Sequence, residues 1–141
     1  MSHFQYSVPS GTSQKLSDQY HYSPAVRSPG SPAIVKISGQ GGWDPETGVV
    51  DPTNIQAQVD QAFANVELVL KNAGLRGWED VYLARAFLIR EEGIVQAVGD
   101  ALRKWCPNHR PVLTAVGTPW LALEEMKIEI EVEAMERSAG K

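Results

Sequence analysis

The sequence predicts an α+β fold, a mixed β-sheet with two helices on one of its faces. Three observations lead there. Ile55, Val59, Phe63, Val66 and Leu70 recur at spacings of four, four, three and four, which draws one apolar stripe along about five turns of helix. In Lys127–Val132 the residues Ile128, Ile130 and Val132 alternate with Glu129 and Glu131, so one face of a strand is buried and the other is acidic. These two periods follow one another in the order hairpin, helix, strand, helix, strand, strand, within a length of 141 residues that a single core can serve. One domain over residues 1–141 is therefore expected.

Taken in order, residues 1–19 read as a loop-rich N-terminal segment, because Ser, Pro, Gly and Thr crowd Ser7–Ser13. In Tyr22–Arg27, Val26 alternates with Ala25 and Arg27, while Pro24 confines the strand to an edge or a bulge. Ala33–Ser38 is richer in β-branched residues and follows a Pro-Gly-Ser-Pro turn, so it should return antiparallel as a hairpin. Gly39-Gln40-Gly41-Gly42 ends that strand and leads to Asp44-Pro45-Glu46-Thr47-Gly48, which has the residue order of a tight turn; a ligand can approach the backbone here.

Thr53-Asn54-Ile55-Gln56 matches a capping box that starts the first long helix, and Gly74 offers a left-handed stop. Val81–Ile89, with Arg85 as its only charge, reads as a central strand. Ile94, Val95, Val98, Leu102 and Trp105 mark a second helix that Pro107 ends. Val112–Val116 and Lys127–Val132 complete the sheet, and residues 135–141 read as a flexible tail. Two helices cover only one face. The apolar residues left on the other predict a homo-oligomer.

Composition excludes several classes of function. The formal charge is −4 and the cations are scattered, so no basic stripe can follow phosphates and nucleic acid is not expected as a partner. No apolar run approaches the roughly 20 residues that span a bilayer, so no membrane association is expected. The N-terminus lacks the charged and apolar regions of a secretory signal, which predicts a cytoplasmic protein and leaves a mitochondrial one open. The single cysteine, Cys106, can make neither an internal disulfide nor, alone, a structural metal site.

Several segments, in order, resemble the Rid (YjgF-type, reactive intermediate deaminase) family: Tyr22-Ser23-Pro24-Ala25-Val26, Ile37-Ser38-Gly39-Gln40, Asp44-Pro45-Glu46-Thr47-Gly48, the turn His109-Arg110-Pro111, and Lys127-Ile128-Glu129-Ile130-Glu131. Gln58, Gln61, Asn65 and Ala73-Gly74 on the intervening helix extend the likeness. The resemblance implies a chorismate-mutase-like single domain that assembles as a homotrimer around an inner barrel, with each ligand pocket between neighbouring subunits. It also implies a hydrolase without a cofactor, a deaminase that converts an enamine or imine of a 2-amino acid to a 2-keto acid and ammonia. By the same matching, Arg110 grips a carboxylate of a small metabolite, Tyr22, Ser38 and Gly39 line the pocket, and Glu129 places the water with backbone groups near Thr114. The chemistry fits the residue types: a planar guanidinium offers paired donors to a carboxylate, and an iminium carbon needs only orientation, water and a proton acceptor.

The sequence also departs from that family. Pro107-Asn108-His109-Arg110-Pro111 replaces a turn of Pro-Ala-Arg-Ser type, which sets an imidazole beside the arginine and removes one backbone N–H after it. Gly41-Gly42-Trp43 differs from the commoner small, apolar loop, and the segment 117–126 with Trp120 is longer. These changes point to a divergent branch with a larger substrate. They leave room for a specialised-metabolite isomerase, cyclase or hydrolase on the same scaffold, and for a ligand-binding or chaperone-like protein without catalysis. Trp43 and Trp120 can cap an apolar ligand or sit at a subunit interface. His109 is either a pocket residue with acid–base capacity or polar surface. Cys106 reads as a buried thiol rather than a nucleophile.

Overall fold

The computed structural model describes residues 3–137. Six strands form one sheet in the order β1 (Gln5–Ser7), β2 (Ala25–Arg27), β3 (Ile34–Ile37), β6 (Ile128–Met135), β4 (Val81–Leu88) and β5 (Val112–Gly117). All neighbours pair antiparallel except β4 and β5, which are parallel. Parallel neighbours need a long crossover, and α3 (Ile94–Trp105) supplies it. The predicted hairpin of β2 and β3 is present, with Val26 opposite Lys36. The predicted central strand β4 lies one place from the edge, and β6 takes the centre.

The alternation in β6 is realised in full. Ile128, Ile130, Val132 and Ala134 are buried against α2 (Ile55–Asn72) and α3, while Glu129, Glu131 and Glu133 face the other way. Asn54, not the expected Thr53, caps α2: its side chain accepts from the Ala57 N–H, and Thr53 instead bonds Asp51. The stripe of α2 packs into the core, where Phe63 stacks on Trp78 at 4.6 Å and the Trp78 indole donates to the Phe63 carbonyl at 2.8 Å. Val95 leaves the predicted stripe of α3 and is 71% exposed, so Ile94, Ala97, Val98 and Ala101 make the buried face.

The described residues hold three α-helices rather than two, because part of the expected N-terminal loop is ordered. Gln5–Ser7 adds a strand to the sheet, and Thr12–Tyr20 forms α1. α1 is tied to the turn after β3: the Thr12 N–H bonds the Pro45 carbonyl and the Thr12 hydroxyl bonds the Asp44 carbonyl, both at 2.8 Å. Gly11, at φ 83°, makes the entry, and a Cβ there would stand 2.4 Å from the Pro45 oxygen. Part of the expected tail is ordered as well. β6 continues to Met135, and Glu136 accepts from the Ala33 N–H and pairs with Arg27. The rest of that predicted tail, 138–141, and residues 1–2 of the N-terminal segment lie outside the described residues.

Among the described residues nothing covers the second face of the sheet beside β5. Arg85 stands there 3.5 Å from Glu131 and 3.9 Å from Glu133. Beside it every residue of β5 is exposed, Val112, Leu113 and Val116 among them. No described helix is long and apolar enough to cross a membrane.

Candidate functional site

A cavity of about 350 Å³ lies where the end of β3, α1, the start of β6 and the segment before it converge. Its polar end is built from Tyr22, Ser38, Gly39 and Glu129. Glu129 folds over the backbone of Gly39, so that a Cβ on Gly39 would lie 2.1 Å from its Oε1 and 2.6 Å from its Cγ. Burial, and then the Glu131 carboxylate, hold the Glu129 pKa above its ordinary value. Burial and the charge of Glu129 raise the Tyr22 pKa as well, which keeps the phenol protonated and a donor. The Ser38 hydroxyl donates to the Ser23 carbonyl at 2.8 Å, joining β3 to the loop before β2.

The opposite end is apolar. Trp43 and Met126 are buried with Val50 in a cluster separate from the main core, and Leu16, Leu121 and Leu123 pack against it. Leu16, Trp43, Leu123 and Met126 line the cavity. Two amides on one face of α2, seven residues apart, hold the loops that carry these side chains. Asn65 Nδ2 donates to the carbonyls of Gly41 and Trp43, at 2.8 Å each. Gln58 accepts from the Lys127 N–H at 2.6 Å and donates to the Asp51 carbonyl at 3.0 Å. Asn65→Ala orphans two buried carbonyls, so it is expected to cost about 2 kcal/mol in urea unfolding and to weaken ligand binding. A change within 0.5 kcal/mol, on the order of ordinary surface substitutions, would count against this anchoring.

Arg110 lies elsewhere. It is exposed, has no ion-pair partner among the described residues, and lines a broad depression of about 850 Å³ with His109, Pro111 and Leu113. The two hollows share no residue. His109 also faces a smaller hollow, and its Nε2 is 2.8 Å from the Val81 carbonyl, so the ring braces the turn against the start of β4. Thr114 stands on exposed β5 opposite Arg85, and Trp120 is 74% exposed in the following loop; neither lines either hollow. Cys106 is buried, and burial pushes its thiol up to about 11, which suits an inert core group and not a nucleophile. Among the described residues no three His, Cys, Asp or Glu side chains converge to hold a metal.

Thus Tyr22, Ser38, Gly39, Trp43 and Glu129 meet in one cavity, while Arg110 and His109 do not join them in the same chain. Leu16, Tyr20, Leu123 and Met126 were not foreseen. The spacing of Leu16 and Tyr20, four apart in an otherwise polar stretch, was the available signal for the first pair.

Residues 12–136 match the family model described as Endoribonuclease L-PSP. No curated protein matches the sequence significantly. Among solved structures, the protein YjgH superposes with a TM-score of 0.80 at 26% identity, covering 97% of this chain and 99% of its own. Rv2704 of Mycobacterium tuberculosis, described as a member of the YjgF/YER057c/UK114 family, gives 0.74 at 26% identity over 94% and 98% of the two chains. YyfA of Yersinia pestis, described as a protein of unknown function of the conserved Rid family, gives 0.70 at 26% identity over 81% and 86%.

Proposed function

Because the chain belongs to the Endoribonuclease L-PSP family, that of the YjgF and Rid proteins, we propose that it hydrolyses 2-imino acids, without a cofactor, at sites shared between subunits of a homotrimer. The observation that carries this reading is the seating of Glu129 on Gly39 beside Tyr22, a carboxylate of raised pKa at the polar end of a cavity of amino-acid size. A neighbouring copy brings Arg110, an exposed cation without an ion-pair partner among the described residues, to that end. The exposed β5 and the uncovered sheet face supply the surface through which the copies associate.

In the reaction, Arg110 holds the substrate carboxylate through paired N–H donors and so fixes the iminium carbon over the cavity. Ionised Glu129 takes a proton from water as the oxygen adds to that carbon and the C=N π pair moves to nitrogen. The proton passes to the amine of the resulting carbinolamine. Glu129, ionised again, takes the hydroxyl proton as the C–N bond breaks and the carbonyl forms, and it passes that proton to the departing ammonia: R–C(=NH2⁺)–COO⁻ and H2O give R–CO–COO⁻ and NH4⁺. RNA, which the family description suggests as a substrate, is disfavoured by a net charge of −4 and by the acidic row on β6.

The pH profile tests the role of Glu129. The base must be ionised, and its pKa is raised, so kcat/KM rises with pH through a midpoint above the ordinary glutamate value. Glu131→Gln removes the neighbouring charge that contributes to the shift, and the midpoint moves to lower pH. An acid limb that stays put in that variant would argue that another group titrates there.

A further inference from the structure

The cavity separates its chemistry by position, and that separation bears on the substrate. Apart from the Tyr20 phenol and the Trp43 indole N–H, the polar side chains of the lining, Tyr22, Ser38 and Glu129, gather where Glu129 covers Gly39. The other end, formed by Leu16 of α1, Trp43, Ala122, Leu123 and Met126, presents no charge. It is also a firm wall. A Cβ on Gly41 would lie 2.7 Å from Met126 Cε and 2.8 Å from the Trp43 ring, so both side chains lie flat on that backbone. α1 is held over it by the two hydrogen bonds of Thr12 to the 44–45 turn.

Resting on the hydrolase reading above, we infer that the substrate is the imine of an amino acid with a large apolar side chain, branched aliphatic or aromatic, and that α1 with the 122–126 segment makes this choice. A cavity of about 350 Å³ holds roughly ten waters by volume, far more room than an alanine-derived imine occupies once its carboxylate and iminium carbon are at the polar end. A leucine- or phenylalanine-derived chain fills the apolar end and removes that surface from water. A charged side chain loses its hydration there and finds no opposite charge, and an amide has only the Trp43 indole N–H and the Tyr20 phenol to replace its water. Each buried methylene is worth about fourfold, so the three extra carbons of the leucine imine give a preference on the order of fiftyfold over the alanine imine.

The test uses imines formed in place by an amino acid oxidase from leucine, phenylalanine, alanine and glutamine, with keto-acid release followed against semicarbazide trapping. The expected order of kcat/KM is leucine and phenylalanine imines well above alanine, with glutamine lowest. Leu16→Ser and, separately, Ala122→Trp are expected to lower the leucine-to-alanine ratio by about tenfold while thermal melting shows a folded protein. Equal acceleration of all four imines overturns the inference and leaves the hydrolase reading intact. An unchanged ratio in the folded variants overturns the assignment to α1 and the 122–126 segment. No acceleration of any imine overturns the hydrolase reading. In that event calorimetric binding of 4-methyl-2-oxopentanoate against pyruvate still decides the pocket's preference, and equal affinities overturn it.

Discussion

Arg110→Ala is expected to lower kcat/KM for imine hydrolysis by roughly 30- to 5,000-fold, the range for removing one partner of a desolvated, hydrogen-bonded charge pair. The loss should be larger than that of Arg110→Lys, which keeps the charge and gives up the planar fork that orients a carboxylate. Folding should not suffer, because Arg110 is exposed and makes no hydrogen bond or ion pair among the described residues. The arrangement of the two hollows gives a sharper form of this test. Arg110 and Glu129 line different hollows of one chain, so the proposed reaction requires one residue from each of two copies. Inactive Arg110→Ala and Glu129→Gln proteins, unfolded together in equal amounts and refolded, should then regain about a quarter of wild-type activity, since a random pairing joins the intact Arg110 with the intact Glu129 once in four. No regain in mixed oligomers of proven composition means that the site lies within one chain, or that one of the residues has no part in it.

The sheet and the two long helices were legible because their signals are local and periodic. The glutamates of β6 and the stripe of α2 state their own faces, and the structure places both as the alternation requires. α1 escaped notice because only Leu16 and Tyr20 break its polar run, and what fixes it is a pair of hydrogen bonds from Thr12 to carbonyls more than thirty residues away. The site divided in the same way. Tyr22, Ser38, Gly39 and Glu129 belong to short segments with a family likeness, and they converge. Leu123 and Met126 sit in a segment with no period, held by Gln58 from a distant helix, so nothing nearby in the chain announced them. Trp120 shows the converse: a large aromatic in the same segment draws attention by type alone, and the fold turns it to solvent.

Gly39 supplies the second large effect, and it acts through Glu129. A methyl at position 39 cannot be cleared by a small swing of the carboxylate, because it meets Glu129 Cγ at 2.6 Å as well as Oε1 at 2.1 Å. The whole side chain must leave its rotamer and carry the base away from the cavity. Gly39 has no positive φ that would strain an alanine, so the fold should survive with little change in unfolding midpoint. Gly39→Ala is therefore expected to lower kcat by about a hundredfold or more, as Glu129→Gln should, within the range that a positioned base contributes. The double variant discriminates between explanations. If both substitutions remove the same group from the same place, the second adds almost nothing to the first, and the effects are strongly non-additive. If instead Gly39 serves by letting the substrate approach its backbone, the two losses multiply, and Glu129 would owe its position to some other contact.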